Sequence, residues 1–129
     1  MPGTRTRGQI EAAITATLTR FEREHLGVGP REARTFVVHD LVVVRLHGVL
    51  SLAEQQLARE AGGVGLIKEV RSRLVEGSAG VLRALVEAET GVPVAALHTD
   101  ISTSTGERLF VFVLERPPDV ADPRAAEAS

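Results

Sequence analysis

Residues 31–54, REARTFVVHDLVVVRLHGVLSLAE, decide the fold of this chain. Two apolar runs, residues 36–38 and 41–46, lie on either side of His39 and Asp40. Apolar runs separated by a two-residue polar turn are typical of a β-hairpin. Residues 31–54 therefore predict two antiparallel strands that pair locally.

The second strand of this hairpin has one apolar side and one mixed side, because successive side chains of a strand point to opposite faces. The apolar side, which belongs on a core, consists of Val42, Val44 and Leu46. The mixed side consists of Val43, Arg45 and His47. Ser51 follows the hairpin, and Glu54 lies three residues later, which is the spacing of a capping box at the start of a helix.

Helical periodicity precedes the hairpin and returns after it. Apolar residues recur with helical spacing from Thr6 to Gly27, where the glycine and Pro30 end the pattern. A longer pattern runs from Gly65 to Thr90. Its predicted apolar face consists of Ile67, Val70, Leu74, Val81 and Leu85. The polar remainder of this helix includes Lys68, Arg71 and Arg73.

Two more strands are predicted, at residues 94–101 and 108–114. The last one is apolar on both sides, which is typical of a strand that is central in its sheet or covered on both sides. The order α-β-β-α-α-β-β indicates an α+β fold. We expect one four-stranded antiparallel sheet with the helices packed on one face. The expected domain spans residues 6–116, between a flexible N-terminus (1–5) and a disordered C-terminal tail (117–129) that is rich in Ala, Pro and charge.

Composition excludes several classes of function. The 129 residues include no cysteine, so thiol catalysis and thiolate metal sites are excluded. A formal net charge of -2 and an aromatic content of four Phe, with no Trp or Tyr, argue against nucleic-acid binding. No apolar run is long enough to insert into a membrane, and the polar N-terminus does not resemble a secretory signal, so we expect a cytoplasmic protein.

One group of polar residues is a candidate ligand site. Strand alternation places Arg45 and His47 on the mixed side of strand two, and His98 and Asp100 on the corresponding side of strand three. His39 could join them from the turn. Histidine and carboxylate together can bind a metal ion or transfer a proton. The alternative is a solvated sheet face or the polar rim of a dimer interface.

Three other features have simpler structural explanations. The glycines of residues 27–30 and 62–65 could bind phosphate, but they match no phosphate-binding motif and are typical of helix ends. Lys68, Arg71 and Arg73 could bind an acidic partner, although such charges are usually a solvated helix face. Ser51 has no neighbouring base and is explained as a helix cap. A matched acid, base and nucleophile set is missing, so we expect no enzyme.

The order of several segments resembles the MpsC family of bacterial proteins over residues 8–114. These segments are LGVGP (26–30), VVVRLHGVLSLAEQQL (42–57), TGVPV (90–94), HTDIST (98–103) and FVFVL (110–114). The family is named for a sodium-translocating, membrane potential-generating system whose other components are membrane proteins also linked to inorganic-carbon uptake. The resemblance implies a small soluble accessory or regulator, with a membrane transport component as its partner, and it supplies no catalytic residue or cofactor.

The leading hypothesis is therefore a non-enzymatic accessory or regulatory protein that forms a homodimer. A sheet covered by helices on one side needs a cover on the other, and the apolar strand at residues 108–114 suggests a second copy. The alternative is a module that binds a small ligand or metal through His39, Arg45, His47, His98 and Asp100.

Overall fold

A computed structural model describes residues 5–121 and confirms the predicted α+β order. The elements are α1 (Arg7–Leu26), β1 (Glu32–Val38), β2 (Leu41–His47), α2 (Leu52–Ala58), α3 (Gly63–Thr90), β3 (Val94–Ser102) and β4 (Glu107–Leu114). The four strands form one sheet in the order β1-β2-β4-β3, and every neighbouring pair is antiparallel. The apolar strand β4 is therefore central, as its sequence indicates.

The helices cover one face of this sheet, as predicted. α1 packs on β1 and β2, α3 packs on β3 and on α1, and α2 packs on α3. The apolar side of β2 lies under the helices with no exposed surface at Val42, Val44 or Leu46. Phe110 and Phe112 of β4 are also fully buried there. Burying each such side chain contributes about 1.5–3 kcal/mol to folding, so this layer is the main source of stability.

Local sequence signals fix the ends of the helices. The predicted capping box is present at α2, where Ser51 Oγ accepts from the Glu54 amide at 3.1 Å and Glu54 Oε1 accepts from the Ser51 amide at 3.0 Å. Thr6 and Gln9 form a second capping box at α1. Gly63 begins α3 so close to α2 that an added Cβ would lie 1.7 Å from the Leu57 carbonyl oxygen. Only glycine permits this tight connection.

The predicted apolar face of α3 is partly wrong. Val70, Leu74 and Val81 are 49, 43 and 52% exposed. Ile67 and Leu85 of the predicted face do pack on the core. The other residues that face the core are Arg71, Val75, Leu82, Val86 and Thr90. α3 carries two adjacent stripes at helical spacing, and the sheet and α1 decide which of them turns inward.

The two ends of the described chain meet. After β4, Pro118 is buried, and the Ala121 amide donates to the Arg5 carbonyl at 2.8 Å. Of the predicted flexible N-terminus (1–5) and disordered tail (117–129), residues 1–4 and 122–129 lie outside the described residues.

Candidate functional site

The sheet face opposite the helices, here called the open face, carries four rows of four side chains that run across the strands. In the strand order β1, β2, β4, β3, the rows are Val38, Leu41, Val113, Ala96; Phe36, Val43, Val111, His98; Arg34, Arg45, Leu109, Asp100; and Glu32, His47, Glu107, Ser102. None of these residues is buried. The first row is wholly apolar, the second nearly so, and the last two are polar.

Arg45 and His47 meet at a carboxylate that the sequence analysis did not select. Arg45 Nη2 donates to Glu107 Oε2 at 2.6 Å, and His47 Nε2 lies 3.2 Å from the same oxygen. The hydrogen bond from Arg45 holds the pKa of Glu107 below its usual value. Strand register explains this cluster, because β2 and β4 place His47 beside Glu107. The combination fits the binding of a small polar ligand through one cation and one imidazole.

His98 and Asp100 lie on the same face but on the edge strand β3. Asp100 Oδ1 accepts from the Ile101 amide at 2.8 Å and from Lys68 Nζ at 3.3 Å, and these contacts lower the pKa of Asp100. Leu109 separates Asp100 from Arg45 within their row. His98 stands in the neighbouring, mostly apolar row.

His39 is remote from the other predicted site residues. It occupies the β1–β2 turn with a left-handed φ of 55° and lies 3.5 Å from Asp40. The turn is at the apolar end of the open face, whereas Arg45 and His47 lie in the polar rows. Across residues 5–121, no three or more His, Asp or Glu side chains are grouped closely enough to hold a metal ion.

The most unusual polar group lies on the covered side of the sheet. Glu22 of α1, Arg71 of α3 and Arg108 of β4 are 1, 3 and 2% exposed. Together with Glu54 of α2 they form what we call the buried ion cluster. Arg71 binds both carboxylate oxygens of Glu54 at 2.8 Å and also donates to the Val49 carbonyl at 3.0 Å. The cluster therefore ties α2 and α3 to the end of β2.

Glu22 is held less closely than Glu54. Its oxygens lie 3.4 Å from Arg108 Nε and 3.8 Å from Arg71 Nη1, and none of these atoms has a hydrogen-bond partner among the described residues. Burial raises the pKa of Glu22 in spite of the two guanidinium groups, and burial likewise lowers the pKa of Arg108. A 50 Å³ cavity borders the cluster and has the volume to admit water.

Glu54 shows the opposite behaviour. Partial burial by itself would raise its pKa, but hydrogen bonds from Arg71 and Ser51 outweigh burial and hold the pKa below its usual value. A bidentate contact between Arg and carboxylate is the strongest arrangement for such a pair. The two carboxylates of one cluster are thus perturbed in opposite directions.

Arg71 was predicted to lie on a solvated helix face, and that prediction is wrong. A signal was present, because each deeply buried charge keeps the spacing of an apolar stripe. Arg71 stands four residues from both Ile67 and Val75, Glu22 stands four residues after Leu18, and Arg108 alternates with Phe110. A charge in phase with a buried stripe predicts either a break in the stripe or a buried ion pair.

A family model and two proteins of Bacillus subtilis match most of this chain. A family model described as Na+-translocating membrane potential-generating system (MpsC) matches residues 6–116. The uncharacterized protein YbcI of Bacillus subtilis (strain 168) is 36% identical over 110 residues, which are 85% of this chain and 89% of YbcI. The uncharacterized protein YrhF of the same organism is 28% identical over 104 residues, 79% of this chain and 84% of YrhF.

No solved structure matches this chain. Among residues 5–121, no helix is both long enough and apolar enough to cross a membrane.

Proposed function

The chain belongs to the MpsC family, and we propose that it is a non-enzymatic accessory or regulatory protein of a Na+-translocating, membrane potential-generating system. The family description names such a system, and the match covers residues 6–116. Arg71 and Glu54 are engaged with each other in a contact between helices, so their chemistry serves the fold. The proposed role is regulation through contact with another component of the system.

The exposed stripe of α3 is the observation that carries this proposal. Leu66, Val70, Leu74 and Val81 are 50, 49, 43 and 52% exposed along one helix. Exposed apolar residues that are contiguous along an element commonly mark a protein–protein contact. An apolar helix face in a partner's groove is a frequent form of recognition. We assign this stripe to contact with another component of the Na+-translocating system.

The test is complementation in the source organism. Deletion of the gene should lower the Na+-dependent membrane potential, measured with a voltage-sensitive dye, and the native chain should restore it. Val81→Glu should fail to restore it, because a charge in the middle of the stripe opposes burial against a partner. Glu76→Gln, on the polar side of α3, should restore it. An unchanged Na+-dependent potential after deletion would contradict the proposed function.

A second candidate function is a module that binds a small polar ligand on the open face. The polar rows favour it, because Arg45 and His47 both contact the same carboxylate oxygen of Glu107 there. An open cleft of about 490 Å³ adjoins Arg34, Arg45 and His47.

Calorimetric titration with inorganic phosphate tests this candidate. We expect stoichiometric binding that His47→Ala abolishes, while His39→Ala, at the opposite end of the face, leaves it unchanged. An equal heat of binding for His47→Ala and His39→Ala would exclude the polar rows as the binding site.

A further inference from the structure

We propose that two copies of this chain pack open face to open face, about a two-fold axis that is parallel to the strands and runs between β2 and β4. The proposal goes beyond the regulatory role and does not depend on it. The molecule that covers the open face is a second copy of this chain. The pattern of the four rows indicates both this partner and the direction of the axis.

The apolar rows select the axis. A two-fold axis parallel to the strands keeps each row opposite itself and reverses the strand order, so β1 lies over the partner's β3 and β2 over the partner's β4. Val38 then faces the partner's Ala96, and Val43 faces the partner's Val111. An axis across the strands reverses the rows instead and places the apolar first row over the polar fourth row. Burying those polar groups against apolar side chains is unfavourable.

The charged rows agree with the same axis. The third row begins with Arg34 on β1 and ends with Asp100 on β3. Reversal of the strand order therefore places Arg34 opposite Asp100 of the partner subunit, and the symmetry produces this contact twice. In the fourth row, His47 comes to face the partner's Glu107. Arg34 and the partner's Asp100 are opposite charges at the rim, where such pairs select a partner and an orientation more than they add affinity.

The small size of the open face indicates a weak dimer. Four rows of four residues fall short of the 20–30 residues per side in a standard interface. Two sheets that pack face to face lie about 10 Å apart and keep their strands within about 30° of each other. Phe36 and Val38, which are 37 and 58% exposed, are the large apolar residues of this face with the most surface left to bury. We expect a reversible dimer that dissociates on dilution.

Sedimentation equilibrium of the full chain over a range of concentrations tests the dimer. The native chain should change from monomer to dimer, and Val38→Glu should weaken the association by about tenfold or more. Val81→Glu is the matched control, since Val81 is a similarly exposed valine on α3, at 52% against 58%. It should dimerise like the native chain. Circular dichroism verifies that each variant is folded, and Val111→Glu supplies a second probe at the centre of the face.

A charge reversal tests the axis. Arg34→Asp and Asp100→Arg should each weaken the dimer, and the double variant should restore it, because the pair is recreated with exchanged signs. A native chain that stays monomeric at the highest concentration overturns the proposal, as does a dimer broken by Val81→Glu and not by Val38→Glu. A double variant weaker than both single variants overturns the strand-parallel axis. All these measurements use purified protein, so they stand or fall independently of the complementation test.

Discussion

Each face of the sheet has exceptions to the usual relation between residue type and burial. The covered face buries Glu22, Arg71 and Arg108 beside Phe110 and Phe112. The open face leaves Phe36 and Val38 partly in contact with solvent. The same strands supply both faces, because successive side chains of a strand point to opposite sides of the sheet. The difference shows that burial of a side chain here follows from which face the helices cover.

The covered face supplies stability, and the buried charges within it need their partners. Arg71 is kept inside by a bidentate contact with Glu54 and by the Val49 carbonyl. Removing one partner of a buried ion pair leaves an uncompensated charge, which costs more than the pair contributes. The open face has no such constraint, and its apolar rows are available for association.

The largest expected difference between the faces comes from a pair of phenylalanines. Phe112→Ala on the covered face should lower the free energy of unfolding by about 3–5 kcal/mol, because it leaves a cavity in the core. Phe36→Ala on the open face should lower it by at most about 1 kcal/mol in dilute protein. Urea unfolding monitored by circular dichroism measures both. Equal losses would mean that the open face is part of the monomer core.

A smaller effect is expected from a pair of arginines on one helix. Arg71→Met should lower the free energy of unfolding by about 3 kcal/mol, since it leaves Glu54 without its cation and Glu22 with Arg108 alone. Arg73→Met removes an exposed contact with Glu69 at 2.9 Å and should change stability by no more than about 0.5 kcal/mol. A loss at Arg71 as small as that at Arg73 would show that the buried ion cluster contributes little to the fold.

The smallest effect is the pH dependence of the two carboxylates in the buried ion cluster. The pKa of Glu22 is raised above 4.5, so its protonated form contributes stability that is lost as pH rises through the folded pKa. The native chain should therefore lose stability relative to Glu22→Gln between about pH 4.5 and neutral pH. Urea unfolding of both proteins over this range measures the difference.

Glu54→Gln is the matched control for Glu22→Gln, and its expected pH dependence of stability has the opposite sign. The pKa of Glu54 lies below 4.5, so its charged form contributes stability that is present above 4.5 and lost as pH falls through the folded pKa. The native chain should lose stability relative to Glu54→Gln on acidification from about pH 4.5 to about pH 3. If the stability difference changed with pH in the same direction for Glu22→Gln and Glu54→Gln, the opposite pKa shifts of Glu22 and Glu54 would be contradicted.

Much of the fold followed from local patterns in the sequence. The hairpin of β1 and β2, the Ser51–Glu54 cap and the central position of β4 were predicted, because each depends on neighbours in the chain or on alternation within one strand. The same alternation placed Arg45, His47, His98 and Asp100 on one face. Register between β2 and β4 was required to add Glu107, and it also showed that His39 lies at the other end.

The orientation of α3 about its own axis could not be predicted from the sequence. Its apolar residues form two stripes, and helical periodicity alone does not say which stripe faces the sheet. The stripe containing Arg71 packs on the sheet and on α1, and Glu54 and Glu22, from two other helices, compensate the charge of Arg71 there. The stripe containing Val70, Leu74 and Val81 was left exposed.

The sequence by itself determined the elements of this protein, since helix periodicity, strand alternation and caps act over a few residues. Only the tertiary structure decided which surfaces are covered, because burial depends on how elements far apart in the chain are stacked. For that reason the charges at Glu22, Arg71 and Arg108 lie inside, while the apolar rows of the sheet and the apolar stripe of α3 remain available to partners.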